Sequence, residues 1–157
     1  MIFKTIDKEK KILMIMISKA EDYEYILIEE IGKKCLPIYY KYNDLFMLEL
    51  EKHEIYKIED NNNIVGFMVI KYHENENRVH IMSIGVLEEF RRKLFGSQFI
   101  KFIKENYKSD ITLYVQISNE NAINFYEKNS FVIEKKITNY YKTLEVKDAY
   151  LMKFKLN

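Results

Sequence analysis

Ile111-Thr112-Leu113-Tyr114-Val115-Gln116-Ile117, followed at once by Ser118-Asn119-Glu120-Asn121-Ala122-Ile123-Asn124-Phe125-Tyr126, is a strand running into a helix. In its first half Ile111, Leu113, Val115 and Ile117 alternate with Thr112, Tyr114 and Gln116, the period of two that sends alternate side chains to opposite faces. In its second half Ser118 or Asn119 can cap a helix, Ala122, Phe125 and Tyr126 supply an inward face, and Asn129 ends it.

Working outward, Ile12 to Ile17 is an apolar run that predicts a buried strand, and Tyr23, Ile26, Leu27 and Ile31 recur at helical spacing. Gly32 and Pro37 close that helix, and the aromatic-rich segment Leu36 to Asp44 leads to a short helical piece ending near Leu50. Ile55–Ile58 and Ile64–Tyr72 read as strands joined by the polar turn Asp60-Asn61-Asn62-Asn63, and a second turn, His73 to Asn77, feeds Val79–Val86. These three strands form an antiparallel meander. Phe95, Phe99, Phe102 and Ile103 then share one helical face, and this helix ends near Tyr107. Beyond the opening stretch, Phe131–Ile137 and Ala149–Leu156 make two strands around a tyrosine-rich loop. The order β-α-β-β-β-α-β-α-β-β, with no repeat or second core, implies one α+β domain over residues 1–157 with a mixed sheet. Residues 1–11, dense in charge, are expected as a flexible N-terminal extension.

The 157 residues, 48% hydrophobic and 15% aromatic, suit a single well-filled core. With 25 Lys plus Arg against 24 Asp plus Glu, nothing in the balance favours direct nucleic-acid or membrane binding, so recognition must be local. The single cysteine, Cys35, excludes an internal disulfide and leaves no cysteine cluster for a metal. The charged start lacks the apolar run of a signal peptide or membrane span, and a cytoplasmic location is expected.

Phe90-Arg91-Arg92-Lys93-Leu94-Phe95-Gly96-Ser97 joins a strand to an amphipathic helix. Unpaired N–H groups at a helix start, the helix dipole and flanking arginines suit a pyrophosphate, although the segment taken alone reads more readily as a solvated basic turn. The segment resembles the acetyl-CoA signature Q/R-x-x-G-x-G/A of the GNAT acetyltransferase superfamily, with Arg91 first and Gly96 last. Leu94 replaces the middle glycine, and a leucine forced into left-handed backbone costs about 1–2 kcal/mol. Tyr114 to Tyr126 is similar to the strand-to-helix segment of the NatE-type N-alpha-acetyltransferases, the San family. Asn139-Tyr140-Tyr141-Lys142 with Asp148-Ala149 resembles their C-terminal loop, and Leu36-Pro37-Ile38 with Tyr42-Asn43-Asp44 resembles their first substrate loop with two residues inserted.

The resemblance implies a GNAT fold, a mixed, mostly antiparallel sheet with helices on both faces, and acetyl-CoA as co-substrate without a metal. By position Val86, Arg91, Arg92, Gly96 and Ser97 would hold the coenzyme, with Asn119 and Tyr126 at its pantetheine and thiol end. Tyr126 would also act as the acid toward the departing sulfur. Leu36, Pro37, Ile38, Tyr140 and Tyr141 would clasp the first residues of a peptide starting with Met. In the resembling enzymes a tyrosine on the fourth strand and a histidine on the fifth share a catalytic water; here His80 and Tyr114 stand in exchanged positions. An α-amine, with a reference pKa of about 7.7–8.0, asks only for a modest base, and a histidine near 6.5 can serve.

Each residue also has a plainer reading: Asn119 as a helix cap, Tyr126 as a core aromatic, His80 as a packed strand residue. The implied activity is N-alpha-acetylation of proteins or nascent peptides, with NatA-like catalytic and auxiliary subunits at the ribosome as partners. Acetylation of lysine or small amines is the alternative within the enzyme class. A weakly active coenzyme-binding scaffold subunit is the alternative outside it.

Overall fold

The computed structural model describes residues 1–6, 12–91 and 94–157. Eight strands form one sheet in the order β1-β2-β3-β4-β5-β6-β8-β7. They are β1 Ile2–Ile6, β2 Ile12–Lys19, β3 Glu54–Asp60, β4 Asn63–His73, β5 Arg78–Val86, β6 Asp110–Gln116, β7 Val132–Ile137 and β8 Ala149–Phe154. Every neighbouring pair is antiparallel except β5 with β6. Five α-helices connect them: α1 Tyr25–Cys35, α2 Tyr42–Leu50, α3 Glu88–Arg91, α4 Phe95–Tyr107 and α5 Glu120–Lys128.

Helices cover both faces. On one, α4 presents Phe95, Phe99, Ile100, Phe102 and Ile103 to Ile17, Ile58, Met68, Ile70, Val79 and Leu113 of the strands. On the other, Tyr25, Ile28 and Ile31 of α1 and Leu45 of α2 meet Ile55, Phe67 and Val69. Each fully buried side chain of this kind contributes about 1.5–3 kcal/mol, so the two clusters clamp the sheet between them. The alternation read along β6 holds, with Ile111, Leu113 and Val115 buried and Tyr114 and Gln116 on the other side. The spacing of Phe95, Phe99, Phe102 and Ile103 likewise gives α4 and its end at Tyr107.

Three expectations change. Residues 2–6 are not a loose extension: they pair with β2 from Ile2–Met16 to Ile6–Ile12 as an edge strand, while residues 7–11 lie outside the described residues. The inward face of α1 is Tyr25, Ile28, Ile31 and Gly32; Tyr23, Ile26 and Leu27 are exposed. Both sets have helical spacing, so periodicity could not select the phase. Gly32 does not end α1, which continues to Cys35. A Cβ there would approach Tyr39 Cβ to 3.0 Å, so the glycine lets the segment after the helix fold back against it.

None of the four glycines has a positive φ. The left-handed positions are taken instead by Lys52, Asn61, Asn62, Asn77, Leu94, Lys108, Ser130 and Asn139. At Gly66 an added Cβ would lie 2.7 Å from the Gly85 carbonyl oxygen, and at Gly85 2.6 Å from the Phe67 ring. Close packing between β4 and β5 therefore requires both.

Candidate active site

The site begins where the one parallel pair comes apart. β5 and β6 are joined by four residue pairs, Arg78–Asp110 to Ile81–Leu113, yet β5 runs on to Val86 and β6 to Gln116. At the same level β5 carries an irregularity, since Val69 pairs with Ser83 and Ile70 with Ile81, so that Met82 is left over. Such a bulge increases local twist and re-aims the strand. Beyond it the strands diverge, and alternate N–H and C=O groups of Met82–Val86 point away from β4 into the gap.

Two cavities meet at this gap. One, of about 370 Å³, is lined by Leu36 to Tyr40, His80 to Ile84, Leu113 to Gln116 and the loop tyrosines Tyr140 and Tyr141. The other, of about 500 Å³, is lined by Cys35, Gly85, Val86, Arg91, Gly96 and Phe125 among others. Leu36, Ile84, Asn119, Ala122 and Tyr126 line both, so the two form the ends of one passage through the splayed strands.

At the second cavity, α4 starts from Leu94, whose φ of 71° and ψ of 7° are left-handed. Leu94 thus keeps the backbone geometry a glycine would adopt, at a strain of about 1–2 kcal/mol. The first intrahelical bond runs from Gln98 N to Leu94 O at 3.0 Å, leaving the N–H groups of Phe95, Gly96 and Ser97 without helical acceptors. Gly96 lines the cavity and also admits Phe125, whose ring would lie 3.0 Å from a Cβ at that position. The Arg91 guanidinium lines the same cavity, and its Nε donates to Val86 O at 2.8 Å. Cys35 Sγ donates to the same carbonyl at 3.3 Å, so Val86 O already has two donors and Val86 contributes its N–H side and its shape. Ser97 does not line the cavity: its hydroxyl accepts from Asn129 Nδ2 at 3.5 Å, and its main-chain N–H is one of the three without a helical acceptor. Arg92 lies outside the described residues.

Asn119 joins both readings made of it. Its Oδ1 accepts from Ala122 N at 3.2 Å, capping α5, while the residue lines both cavities. Tyr126 packs edge-on against Phe125 and Phe131. Burial, and next the Tyr141 phenol, holds its hydroxyl protonated well above the usual tyrosine range. It therefore stays protonated at neutral pH.

His80 and Tyr114 lie across β5 and β6 with ring centroids 5.2 Å apart. His80 Nδ1 is 2.8 Å from Thr112 Oγ1. Burial, then the positive charge of Arg78 and of His73, lowers the imidazole to about 4. The expected base near 6.5 is thus a ring that stays neutral throughout the physiological range, because charging it would place a cation in a dry pocket beside another.

Tyr140 stacks on Tyr114 at 4.3 Å and meets Tyr141 edge-on at 4.9 Å. Their loop is pinned from below. Asp148 Oδ1 accepts from Asn139 N at 3.0 Å, Tyr141 N donates to Lys147 O at 2.8 Å and Gln116 Nε2 donates to Val146 O at 2.7 Å. This explains why Asn139-Tyr140-Tyr141 and Asp148-Ala149 occur together. Burial raises the phenol of Tyr141 to about 12, with Tyr140 adding to it. Leu36, Pro37 and Ile38 line the first cavity together with these tyrosines, with Tyr39 and Tyr40 beside them. The last two, with Met82, Ser83 and Gln116, were missed by sequence reasoning. Adjacent aromatics in a tyrosine-rich chain carried no separate signal, and the contribution of Met82 depends on a bulge that only the strand register reveals.

The acetyltransferase (GNAT) family model matches residues 17–131. N-alpha-acetyltransferase 50 of Danio rerio is 36% identical over 134 residues, covering 80% of this chain and 79% of that protein. The probable N-acetyltransferase san of Drosophila melanogaster is 37% identical over 120 residues, 71% of this chain and 65% of that protein. Among solved structures, Arabidopsis thaliana Naa50 in complex with the bisubstrate analogue CoA-Ac-MVNAL superposes with a TM-score of 0.76 at 26% identity, covering 89% of this chain and 97% of that one.

Proposed function

The chain belongs to the GNAT acetyltransferase family, and from that membership we propose that it acetylates the α-amine of proteins or nascent peptides that begin with methionine. It is an acetyl-CoA-dependent N-acetyltransferase. The observation that carries the choice of substrate is the lining of the first cavity. Among the described residues it is mostly apolar and aromatic, with His80, Ser83, Gln116 and Asn119 as the remaining polar groups, and it includes no Asp, Glu, Lys or Arg side chain. A methionine side chain can be buried against Leu36, Pro37, Ile38 and Tyr140 there.

An α-amine is partly neutral at pH 7–8 and can reach such a cavity uncharged; a lysine ammonium, near 10.4, would arrive charged at a site with no carboxylate to receive it. Lysine or small-amine acetylation is accordingly the weaker reading.

The coenzyme fits the second cavity. The unpaired N–H groups at the start of α4 and the Arg91 guanidinium would hold its phosphates, and the gap between β5 and β6 would take the extended pantetheine arm against strand edge groups. When bound, acetyl-CoA supplies an acetyl group activated as a thioester, whose carbonyl carbon gains a bond to nitrogen as the bond to sulfur breaks. The chain's residues manage charge and protons around that exchange. Outward N–H groups of β5 between Ile84 and Val86 would stabilise negative charge developing on the carbonyl oxygen. A water between His80 and Tyr114 would take up the proton that the amine nitrogen sheds. Tyr126, held protonated, would give its proton to the sulfur. The proton lost by the amine and the proton gained by the thiol balance, with water returning one to Tyr126.

A cytoplasmic location and association with NatA-like catalytic and auxiliary subunits at the ribosome belong to the same proposal. Their support is the family resemblance. Among the described residues no helix is long and apolar enough to cross a membrane, and no group of three His, Cys, Asp or Glu side chains is placed to hold a metal ion.

The deciding experiment measures coenzyme release with Met-Leu-, Ser-Ala- and internal-lysine peptides side by side. Turnover led by the Met-Leu peptide is expected. A preference for the Ser-starting or lysine peptide would overturn the assignment of substrate, and no turnover with any of them would favour the scaffold reading.

A further inference from the structure

The Arg78, Thr112 and His80 side chains form a directed chain whose sense is fixed by hydrogen-bond chemistry. Arg78 Nε and Nη2 both reach Glu76 Oε2 at 2.8 Å, and its Nη1 reaches Thr112 Oγ1 at 3.0 Å. A guanidinium only donates, so Thr112 Oγ1 is the acceptor in that contact. The same oxygen lies 2.8 Å from His80 Nδ1.

Two arrangements are then possible. The ring could donate Nδ1–H to the hydroxyl oxygen, or the hydroxyl proton could be given to a bare Nδ1. The first puts two donors on one oxygen and leaves the hydroxyl proton needing a third partner. Thr112 is 5% exposed, and among the described residues Arg78 and His80 are the only polar partners of its hydroxyl. An undonated hydroxyl there would cost about 1–3 kcal/mol. The second arrangement satisfies all three groups at once.

We propose that Thr112 is a positioning residue that fixes His80 as the Nε2–H tautomer, so that the imidazole faces the peptide cavity as a hydrogen-bond donor and not as a proton acceptor. This rests on the proposed function for its catalytic meaning. In that setting His80 holds the shared water by its oxygen, leaving the other lone pair of the water to accept the amine proton. The exchange of histidine and tyrosine relative to the resembling enzymes is then an exchange of roles as well as of places.

Other charged groups around the ring do not compete for Nδ1. Lys71, opposite His80 on β4, donates to Glu51 O, and Tyr114 from β6 contributes its ring face. The protein also carries an internal contrast. His53 Nδ1 lies 3.1 Å from Leu48 O, and since a carbonyl only accepts, that ring must be the Nδ1–H tautomer.

The test is a long-range proton–nitrogen correlation spectrum of the full chain with nitrogen-labelled histidine at pH 7; its three histidines make assignment by single substitution direct. His80 should show a protonated Nε2 and bare Nδ1, and His53 the reverse. Arg78→Met frees Thr112 Oγ1 to accept, and should let the Nδ1–H form of His80 appear. Thr112→Val and Arg78→Met should each lower kcat on a Met-Leu peptide by about tenfold with KM little changed. That is well short of the roughly 10⁴-fold that a wrong tautomer costs where histidine is the essential base. Thr112→Ser should keep the wild-type spectrum and most of the rate. A wild-type spectrum with protonated Nδ1 on His80 overturns the proposal, as does Thr112→Val with unchanged spectrum and turnover. Should the wild-type chain acetylate no peptide, the proposed function fails while the spectrum still decides the tautomer.

Discussion

His80 and Tyr114 face each other across the parallel pair β5 and β6, the only one among the described residues, with ring centroids 5.2 Å apart, where that pair separates. An imidazole and a phenol at this spacing can share one water whichever strand carries which. The double substitution His80→Tyr with Tyr114→His should therefore recover more turnover than either single change, whereas His80→Ala alone, which leaves the shared water unpositioned, should lose about 10²-fold. Steady-state rates of the four proteins, read as a double-mutant cycle, check this; purely additive losses would show that the two rings act independently.

Burial and the neighbouring Arg78 hold His80 at about 4, below its ordinary 6.5. Between these values the unfolded chain binds a proton there that the folded chain refuses, so stability falls as pH drops through the window. The loss amounts to about 1.4 kcal/mol for each pH unit. Urea unfolding at pH 7 and at pH 4.5 should show wild type losing more stability than His80→Ala. Equal losses would place the imidazole in contact with water.

Leu94 adopts φ 71° at the start of α4, where glycine is unstrained. Leu94→Gly should raise stability by about 0.5–1 kcal/mol, the relief of strain exceeding the greater backbone freedom of glycine in the unfolded chain. Coenzyme affinity should be equal or tighter. Thermal melts with and without acetyl-CoA test both parts, and a marked weakening of binding would contradict the loop geometry.

The stack of Tyr140 on Tyr114 at 4.3 Å ties the peptide cavity to the proposed catalytic pair. Tyr140→Ala removes a wall of the cavity and the support of the Tyr114 ring together. Turnover on Met-starting peptides should fall about tenfold or more, with both kcat and KM affected, while coenzyme binding stays near normal. Initial rates over a peptide concentration series are the measurement.

The secondary structure was legible where one period dominated. Alternation along Ile111–Ile117 and the phenylalanine spacing of α4 each had one reading. Around α1 two apolar sets competed, and the choice of Tyr25, Ile28 and Ile31 over Tyr23, Ile26 and Leu27 was made by what α2 and β4 could cover. At the site, residue types and approximate places came from resemblance and agree with the cavity lining for Leu36, Pro37, Ile38, Asn119, Tyr126, Tyr140 and Tyr141. Orientation was not legible. Ser97 turns to Asn129, and Thr112 bridges Arg78 to His80, because of register between elements far apart in sequence.

The parting of β5 from β6 also makes the middle of this sheet its weakest seam. Beyond Ile81 and Leu113 the central strands expose main-chain donors and acceptors that elsewhere only an edge would expose, and four residue pairs join the halves β1–β5 and β6–β8. In deuterated buffer the amides of Met82–Val86 that point into the gap should exchange as fast as those of a peripheral strand, although they sit at the molecule's centre. Filling the passage with coenzyme should slow them more than any others, because the ligand would then act as the missing rung between two half-sheets.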